Sequence, residues 1–369
     1  MLTYVISNIN KSIAFEWLAI EINKSNKLKL CFILLNRNYT ELEHFLISNG
    51  FEVFRIKYNG KKSIPFAIIK TTFLLIKQKT KIIHTHLFEA NIIGLTAAFL
   101  ARIPKRIHTR HHSDYHHIYY PNIVKYDRYI NYLSTDIVAI SIEVRNILIN
   151  NEYVPDKKVH LIHHGFKLED FNNNSQREVS LLIQKFNPRI QKPVIGVIAR
   201  QTEWKGVQFI ISAYKIFLEK YPESLLIMAN ATGDYKNEIH KLLLNIPAKN
   251  YIEIEFENDI FSLYRLFDIF THVPISKSVE AFGQIYVEAL ASGIPSVFTL
   301  SGVANEFIIN EQNALVVPYK NSDAIYNSWI RLINDKELCF NLIYKGKMDV
   351  KKYFSLKKSV KKHIKLYLE

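Results

Sequence analysis

Cysteine is nearly missing from this 369-residue chain, which has only Cys31 and Cys339. Two cysteines cannot build a disulfide scaffold or a Cys-rich zinc module, and they point to a reducing, cytoplasmic setting. Glycine and proline are also sparse, at 11 each, which excludes collagen-like, linker-rich and low-complexity architectures. Long apolar runs are lacking. The longest, Ile92 to Leu100, falls far short of the roughly 20 residues of a spanning helix. The opening stretch, MLTYVISNIN, shows neither a basic n-region nor a small-residue cleavage site, so no signal peptide is expected. No His-Glu-x-x-His or Cys/His framework occurs, so no metal is expected. No helix-turn-helix, zinc-finger or RNA-recognition motif occurs either, so nucleic acid is not the expected partner.

Acidic residues are outnumbered. Lys plus Arg is 48 against 34 Asp plus Glu, a formal charge of +14. Such an excess suits an anionic partner, either phosphorylated small molecules or an anionic membrane face. Compositional drift towards Lys, Asn and Ile is the plainer source of the same charge. Hydrophobic residues make up 48%, enough to bury large cores, and the length suits two domains of roughly 150–200 residues.

Strand-like and helix-like runs alternate, which predicts α/β architecture with parallel sheets covered by helices. In the first half, strands are expected at 2–7, 29–35, 52–58, 81–84, 106–109, 136–140 and 159–162. Helices are expected at 66–79, 92–101 and 142–150. The polar stretch FNNNSQREVS, Phe171 to Ser180, then reads as a linker. The pattern restarts with strands at 194–199, 224–228, 251–256, 269–273, 296–299 and 314–317. Two doubly wound halves are therefore expected, 1–172 and 173–352, with ligand between them at the carboxyl ends of the strands.

The most informative segment is SVEAFGQIYVEALASGIPSV, Ser278 to Val297. A loop carries Glu280 into Phe282, Gly283 and Gln284, where a helix begins. Free amides at that helix start suit a diphosphate or sugar hydroxyls. Glu288 lies one turn further on and leans back towards the helix start, placed for a ribose diol; a solvated helix position is its plainer reading. The second segment, VIGVIARQTEWKGVQFIISAY, ends a strand at Ala199 and continues into Arg200, Lys205 and Gly206. Two cations beside a helix start suit a pyrophosphate leaving group.

These segments resemble the retaining nucleotide-sugar glycosyltransferases of family 4, with their two-Rossmann GT-B fold. Further matches are Gly302 with Glu306, the strand Asn313 to Pro318, and in the first half His84-Thr85-His86, Thr109-Arg110-His111 and Ile162-His163-His164-Gly165. The segment Tyr353 to Leu368 resembles the family's last helix, which crosses back to the first domain, so 353–369 is expected with 1–172. Several glycines of the family pattern are replaced. The loop after the first strand is Ser7-Asn8-Ile9-Asn10-Lys11-Ser12, the segment after the 224–228 strand is Asn230-Ala231-Thr232-Gly233-Asp234, and Ala281 follows the first glutamate.

The resemblance implies transfer of a hexose or N-acetylhexosamine from a nucleotide-diphosphate sugar, UDP-sugar favoured, to a hydroxyl acceptor with retention. Glu280, His111, Arg200 and Lys205 would be catalytic. Glu288, Phe282, Gly283, Gln284, Phe256, Ser7 and Asn8 would hold the donor. His86, Glu89 and His112 would line the acceptor side, with His112 also the alternative to His111 at the sugar. The reaction would need no cofactor and no metal, in keeping with the missing Asp-x-Asp pair. The acceptor would be a surface-polysaccharide or lipid-linked glycan precursor, and the protein cytoplasmic, peripheral on the inner membrane face. The basic helix 66–79 allows two readings, a sheet-covering helix with a solvated Lys face or contact with an anionic membrane. Two other readings of the whole chain are a GT-B partner subunit without turnover and a basic polyanion binder.

Overall fold

A computed structural model describes residues 1–172 and 175–369. The chain forms two compact units, Met1–Phe166 with Phe354–Glu369, and Lys167–Tyr353.

The first unit is built on seven strands: β1 (Leu2–Ser7), β2 (Leu30–Asn36), β3 (Glu52–Lys57), β4 (Ile82–His86), β5 (Lys105–Arg110), β6 (Asp136–Ala139) and β7 (Val159–Leu161). They lie in the order β3-β2-β1-β4-β5-β6-β7, and every pairing is parallel. β1 and β2 are buried along their whole lengths, as expected of central strands covered on both faces. The strand order reverses between β1 and β4, which makes their carboxyl ends the switch point of this sheet.

The last helix, Leu356–Leu368, belongs to this unit. Its Tyr367 hydroxyl lies 2.6 Å from that of Tyr4 and 2.7 Å from His84 Nδ1. The Ser359 hydroxyl donates to the His163 carbonyl at 2.8 Å. Gly165 is needed here, because a Cβ on it would stand 2.8 Å from Leu356 Cα.

The second unit has six strands: β8 (Val194–Ile198), β9 (Leu225–Ala229), β10 (Tyr251–Ile254), β11 (Ile269–His272), β12 (Ser296–Phe298) and β13 (Leu315–Val316). Their order is β10-β9-β8-β11-β12-β13, again all parallel, with the switch point between β8 and β11. The core on one face gathers Tyr214, Phe217 and Trp329. The Trp329 indole N–H is satisfied by Thr271 Oγ1 at 2.9 Å.

Two boundaries differ from the sequence reading. Residues 167–172 pack with the second unit, because Phe171 is buried against the edge of Phe261 and its carbonyl accepts from Arg265 at 2.8 Å. The expected linker is also shorter, since a helix, Gln176–Phe186, already begins within it and buries Leu182 and Phe186. Of that linker, Asn173 and Asn174 lie outside the described residues. Among the described residues, no helix is long and apolar enough to cross a membrane.

Candidate active site

In the second unit, the loops after β8 and β11 meet at the switch point. Gly206 takes the left-handed conformation at φ 75° and opens the helix Val207–Lys220 without a side-chain cap. A Cβ there would stand 1.9 Å from the Val273 carbonyl oxygen, so only glycine lets the two loops close. The Ile275 amide donates to the Trp204 carbonyl at 3.0 Å and ties them again.

This approach brings Lys205 to Glu280, with Nζ 2.5 Å from Oε1. His272, the last residue of β11, lies with Nε2 3.0 Å from the same oxygen. A carboxylate only accepts, so Nε2 carries the proton, and the buried Nδ1 has no partner among the described residues. The Glu280 amide donates to Ser301 Oγ at 3.1 Å. Burial alone would raise the Glu280 pKa. The Lys205 ammonium and the His272 bond outweigh it and hold the carboxyl well below the usual range. Burial lowers the pKa of His272, partly opposed by Glu280. The site thus presents an ionised, oriented carboxylate.

Phe282 is buried, and Gly283 caps the helix Gln284–Ser292 at φ 82° with no side-chain cap bond. Two uncapped helix starts therefore flank the Lys205–Glu280 pair, each with a positive end. Gln284 is exposed on the first turn. Arg200, just beyond β8, is exposed, and its side chain has no recorded partner among the described residues. Glu288 Oε2 accepts from the Tyr264 hydroxyl at 3.0 Å. Burial raises its pKa to about 7, against the lowering effect of that bond. Phe256 sits in the loop after β10, 68% exposed.

The missing glycines have local replacements. Asn230 takes the left-handed conformation at φ 59°, which asparagine tolerates better than most residues. Gly233 lies against the Gln201 backbone, where a Cβ would stand 2.2 Å from the carbonyl oxygen. In the first unit Asn8 does the same at φ 53°, and its amide donates to the Leu35 carbonyl at 3.1 Å. Ser7 is buried, and its Oγ accepts from the Ala90 amide at 3.2 Å. Its hydroxyl thus ties β1 to the helix Phe88–Leu100 and is engaged inside the protein.

The first unit's switch point carries histidines. His86 Nδ1 lies 3.1 Å from His111 Nε2, and the His111 ring stacks on His164 with centroids 5.7 Å apart. His86 Nε2 is buried without a partner among the described residues. Burial holds His86 and His111 below the ordinary histidine range, His111 at about 4. Both rings are therefore neutral at physiological pH. Glu89 stands half-buried in the first turn of its helix.

His112 is directed elsewhere. Its Nε2 lies 3.2 Å from Asp127 Oδ1, beside His116 Nδ1 at 2.7 Å from Oδ2. These three residues are spaced for a metal ion. However, the buried Arg110 guanidinium lies 3.3 Å from Asp127 Oδ1 and also pairs with Glu152. The cation that balances Asp127 is thus a side chain of the protein itself. Sequence reasoning missed His272, Tyr264 and this Arg110–Asp127–Glu152 network. The available signal was a polar residue ending a buried strand, as at His272 and Arg110.

Two family models match the chain, "Glycosyl transferases group 1" over residues 180–349 and "Glycosyltransferase Family 4" over residues 33–170. The chain is similar to the capsular polysaccharide biosynthesis glycosyltransferase CapM of Staphylococcus aureus, 24% identical over 298 residues, covering 78% of this chain and 77% of CapM. It is also similar to the UDP-Gal:alpha-D-GlcNAc-diphosphoundecaprenol alpha-1,3-galactosyltransferase of Escherichia coli, 23% identical over 322 residues, covering 82% of this chain and 79% of that enzyme. Among solved structures, HepE of Anabaena in complex with UDP and glucose shares the fold. Its TM-score is 0.84 at 18% identity, over 100% of this chain and 99% of HepE. With both halves of the chain matched and the two-sheet architecture shared, the chain belongs to the family 4 glycosyltransferases of GT-B fold.

Proposed function

We propose that this glycosyltransferase moves a hexose or N-acetylhexosamine from a nucleotide-diphosphate sugar, a UDP-sugar foremost, to a hydroxyl acceptor with retention. The observation that carries this reading is the Lys205–Glu280 pair between two uncapped helix starts, with exposed Arg200 in the same loop after β8 as Lys205. Ionised Glu280 accepts hydrogen bonds from the sugar's hydroxyls. His272 and Lys205 orient it. Lys205 and Arg200 face the charge that develops on the leaving diphosphate, with the amides of Gly283 and Gln284. Glu288 accepts from the ribose diol, and the exposed Phe256 ring stacks on the base.

Retention follows when the acceptor oxygen attacks on the face the diphosphate leaves. The anomeric C–O bond to phosphate breaks, the new C–O bond forms, and the acceptor proton passes to the departing phosphate oxygen. In this scheme cationic side chains supply the charge a metal would, and turnover persists in chelator. His111 donates to or accepts from the transferred sugar, and His86 and Glu89 line the acceptor side of the first unit. The names of CapM and the E. coli relative, a capsule enzyme and one acting on an undecaprenol-linked sugar, support a glycan or lipid-linked precursor as acceptor.

The test is nucleotide release from UDP-glucose, UDP-galactose and UDP-N-acetylglucosamine with a lipid-linked sugar diphosphate as acceptor. Acceptor-dependent release, nearly abolished by Glu280→Gln, is expected. Turnover unaffected by that substitution would overturn the role of Glu280. Donor binding without any turnover would instead favour the partner-subunit reading, which the replaced family glycines motivate.

A further inference from the structure

The helix Ile64–Lys77 packs on the first unit through Ala67, Thr71 and Leu75. Its opposite face is exposed, yet it is not polar. Phe66, Ile69, Phe73 and Ile76 are 52%, 68%, 65% and 60% exposed. At 3.6 residues per turn these four side chains fall within an arc of roughly 80°, centred away from the buried face. Phe99 and Leu100, also more than half exposed, end the neighbouring helix, which Thr72 Oγ1 touches at the Ala97 carbonyl. A helix that covers a sheet needs one apolar stripe. This one has two, and the second meets no part of the described chain that would bury it.

The charged residues from 61 to 81 are all lysine, and Glu52 meets the helix at its end, accepting from Gln78 Nε2 at 2.7 Å. Lys61, Lys62, Lys70, Lys77 and Lys79 are all exposed on the helix and its flanks, and none has a recorded carboxylate partner among the described residues. From Val53 to Ser113 the chain has 12 Lys and Arg residues and a single acid, Glu89. Lys70 Nζ lies 4.5 Å over the ring of Phe66, the member at one edge of the stripe, so its charge sits at that edge. Apolar residues along a helix axis, aromatic members among them and lysines at the rim, are what a helix lying in the plane of an anionic bilayer requires. The rings and aliphatic chains enter the acyl boundary, and the ammonium groups remain among the headgroups.

We infer that the outer face of Ile64–Lys77, continued by Phe99 and Leu100, docks the first unit on an anionic lipid bilayer. This inference does not rest on the donor-binding reading.

The test is flotation of the full-length protein, without nucleotide, on vesicles of phosphatidylcholine with about one-third phosphatidylglycerol. Wild type is expected to float with these and to remain unbound with pure phosphatidylcholine. Ile69→Ser/Phe73→Ser is expected to weaken partitioning about tenfold or more. Lys70→Gln/Lys77→Gln is expected to weaken it less and to flatten its salt dependence. Leu244→Ser, at an 85% exposed apolar position of the second unit, is expected to change nothing. All these positions are exposed, and unchanged thermal unfolding of each variant checks the fold. Absence of flotation, or flotation that survives Ile69→Ser/Phe73→Ser, would overturn the proposal. So would light scattering that finds a dimer which this double variant makes monomeric, because a second copy would then be the occupant.

Discussion

At Glu280 three effects compete, and their balance sets its charge. Desolvation favours the neutral acid, whereas Lys205 at 2.5 Å and the His272 bond favour the anion, and they prevail. In the proposed reaction Glu280→Gln keeps the shape but loses the charge, so kcat should fall by about 10²–10³-fold. His272→Phe removes only the orienting bond. A loss of about tenfold is expected, concentrated in kcat, with nucleotide affinity unchanged. Equal effects on kcat and nucleotide affinity would show His272 to be merely structural. Glu288 runs the other way, with its carboxyl pushed up to about 7. The folded protein therefore binds this proton more tightly than the unfolded chain does. Stability from this group is full below the ordinary carboxyl range, 4.5, and is lost as pH rises to about 7. Glu288→Gln should thus stabilise the free protein at pH 8 by up to about 3 kcal/mol and make no difference at pH 4. Urea titrations at the two pH values measure this. If Glu288 accepts from the ribose as proposed, the donor KM of the wild type should rise below pH 7, as its carboxyl becomes protonated.

Among the elements, the loops after β8 and β11 depend on Gly206. Gly206→Ala would drive a Cβ into the Val273 carbonyl and force φ 75° on an L-residue. A loss of about 3 kcal/mol is expected in chemical unfolding, with Lys205 displaced from Glu280. The strands themselves were legible in the sequence. The apolar runs at 2–7 and 194–199 each ended within a residue of β1 and β8, because buried central strands carry continuous hydrophobic signals. The helix start at Gln284 was legible from the glycine before it. The pairing of Lys205 with Glu280 was not, since 75 residues separate them and only the switch point of the sheet brings them together. Nor was the left-handed backbone of Asn8 and Asn230 legible where a glycine was missing. The helix at 66–79 was visible from its period, but its solvent face read as lysine when the structure shows four large apolar side chains there. Both of its faces are apolar, so periodicity alone could not say which one packs.

Across the molecule, histidine burial couples the first unit to pH. His84, His86, His108, His111, His164 and His363 are all held below the ordinary value of 6.5, chiefly by burial. The unfolded chain takes up these protons and the folded one resists them. Stability is therefore full above pH 6.5 and falls as the pH drops below it, by on the order of 1 kcal/mol per pH unit for each histidine. Trp17, the first unit's one tryptophan, should report acid unfolding below pH 6 in a Trp204→Phe/Trp329→Phe background. A flat response from pH 7 to 5 would contradict the neutral, buried assignment.

The central claim is that the second unit binds a nucleoside diphosphate at the β8/β11 switch point. Calorimetric titration of UDP, GDP and ADP into the wild type and into Arg200→Ala/Lys205→Ala tests it most directly. Binding of one nucleotide, UDP foremost, with one-to-one stoichiometry and a loss of about tenfold or more in the variant, is the predicted result. No binding of any nucleotide, or equal affinity in the variant, would contradict it.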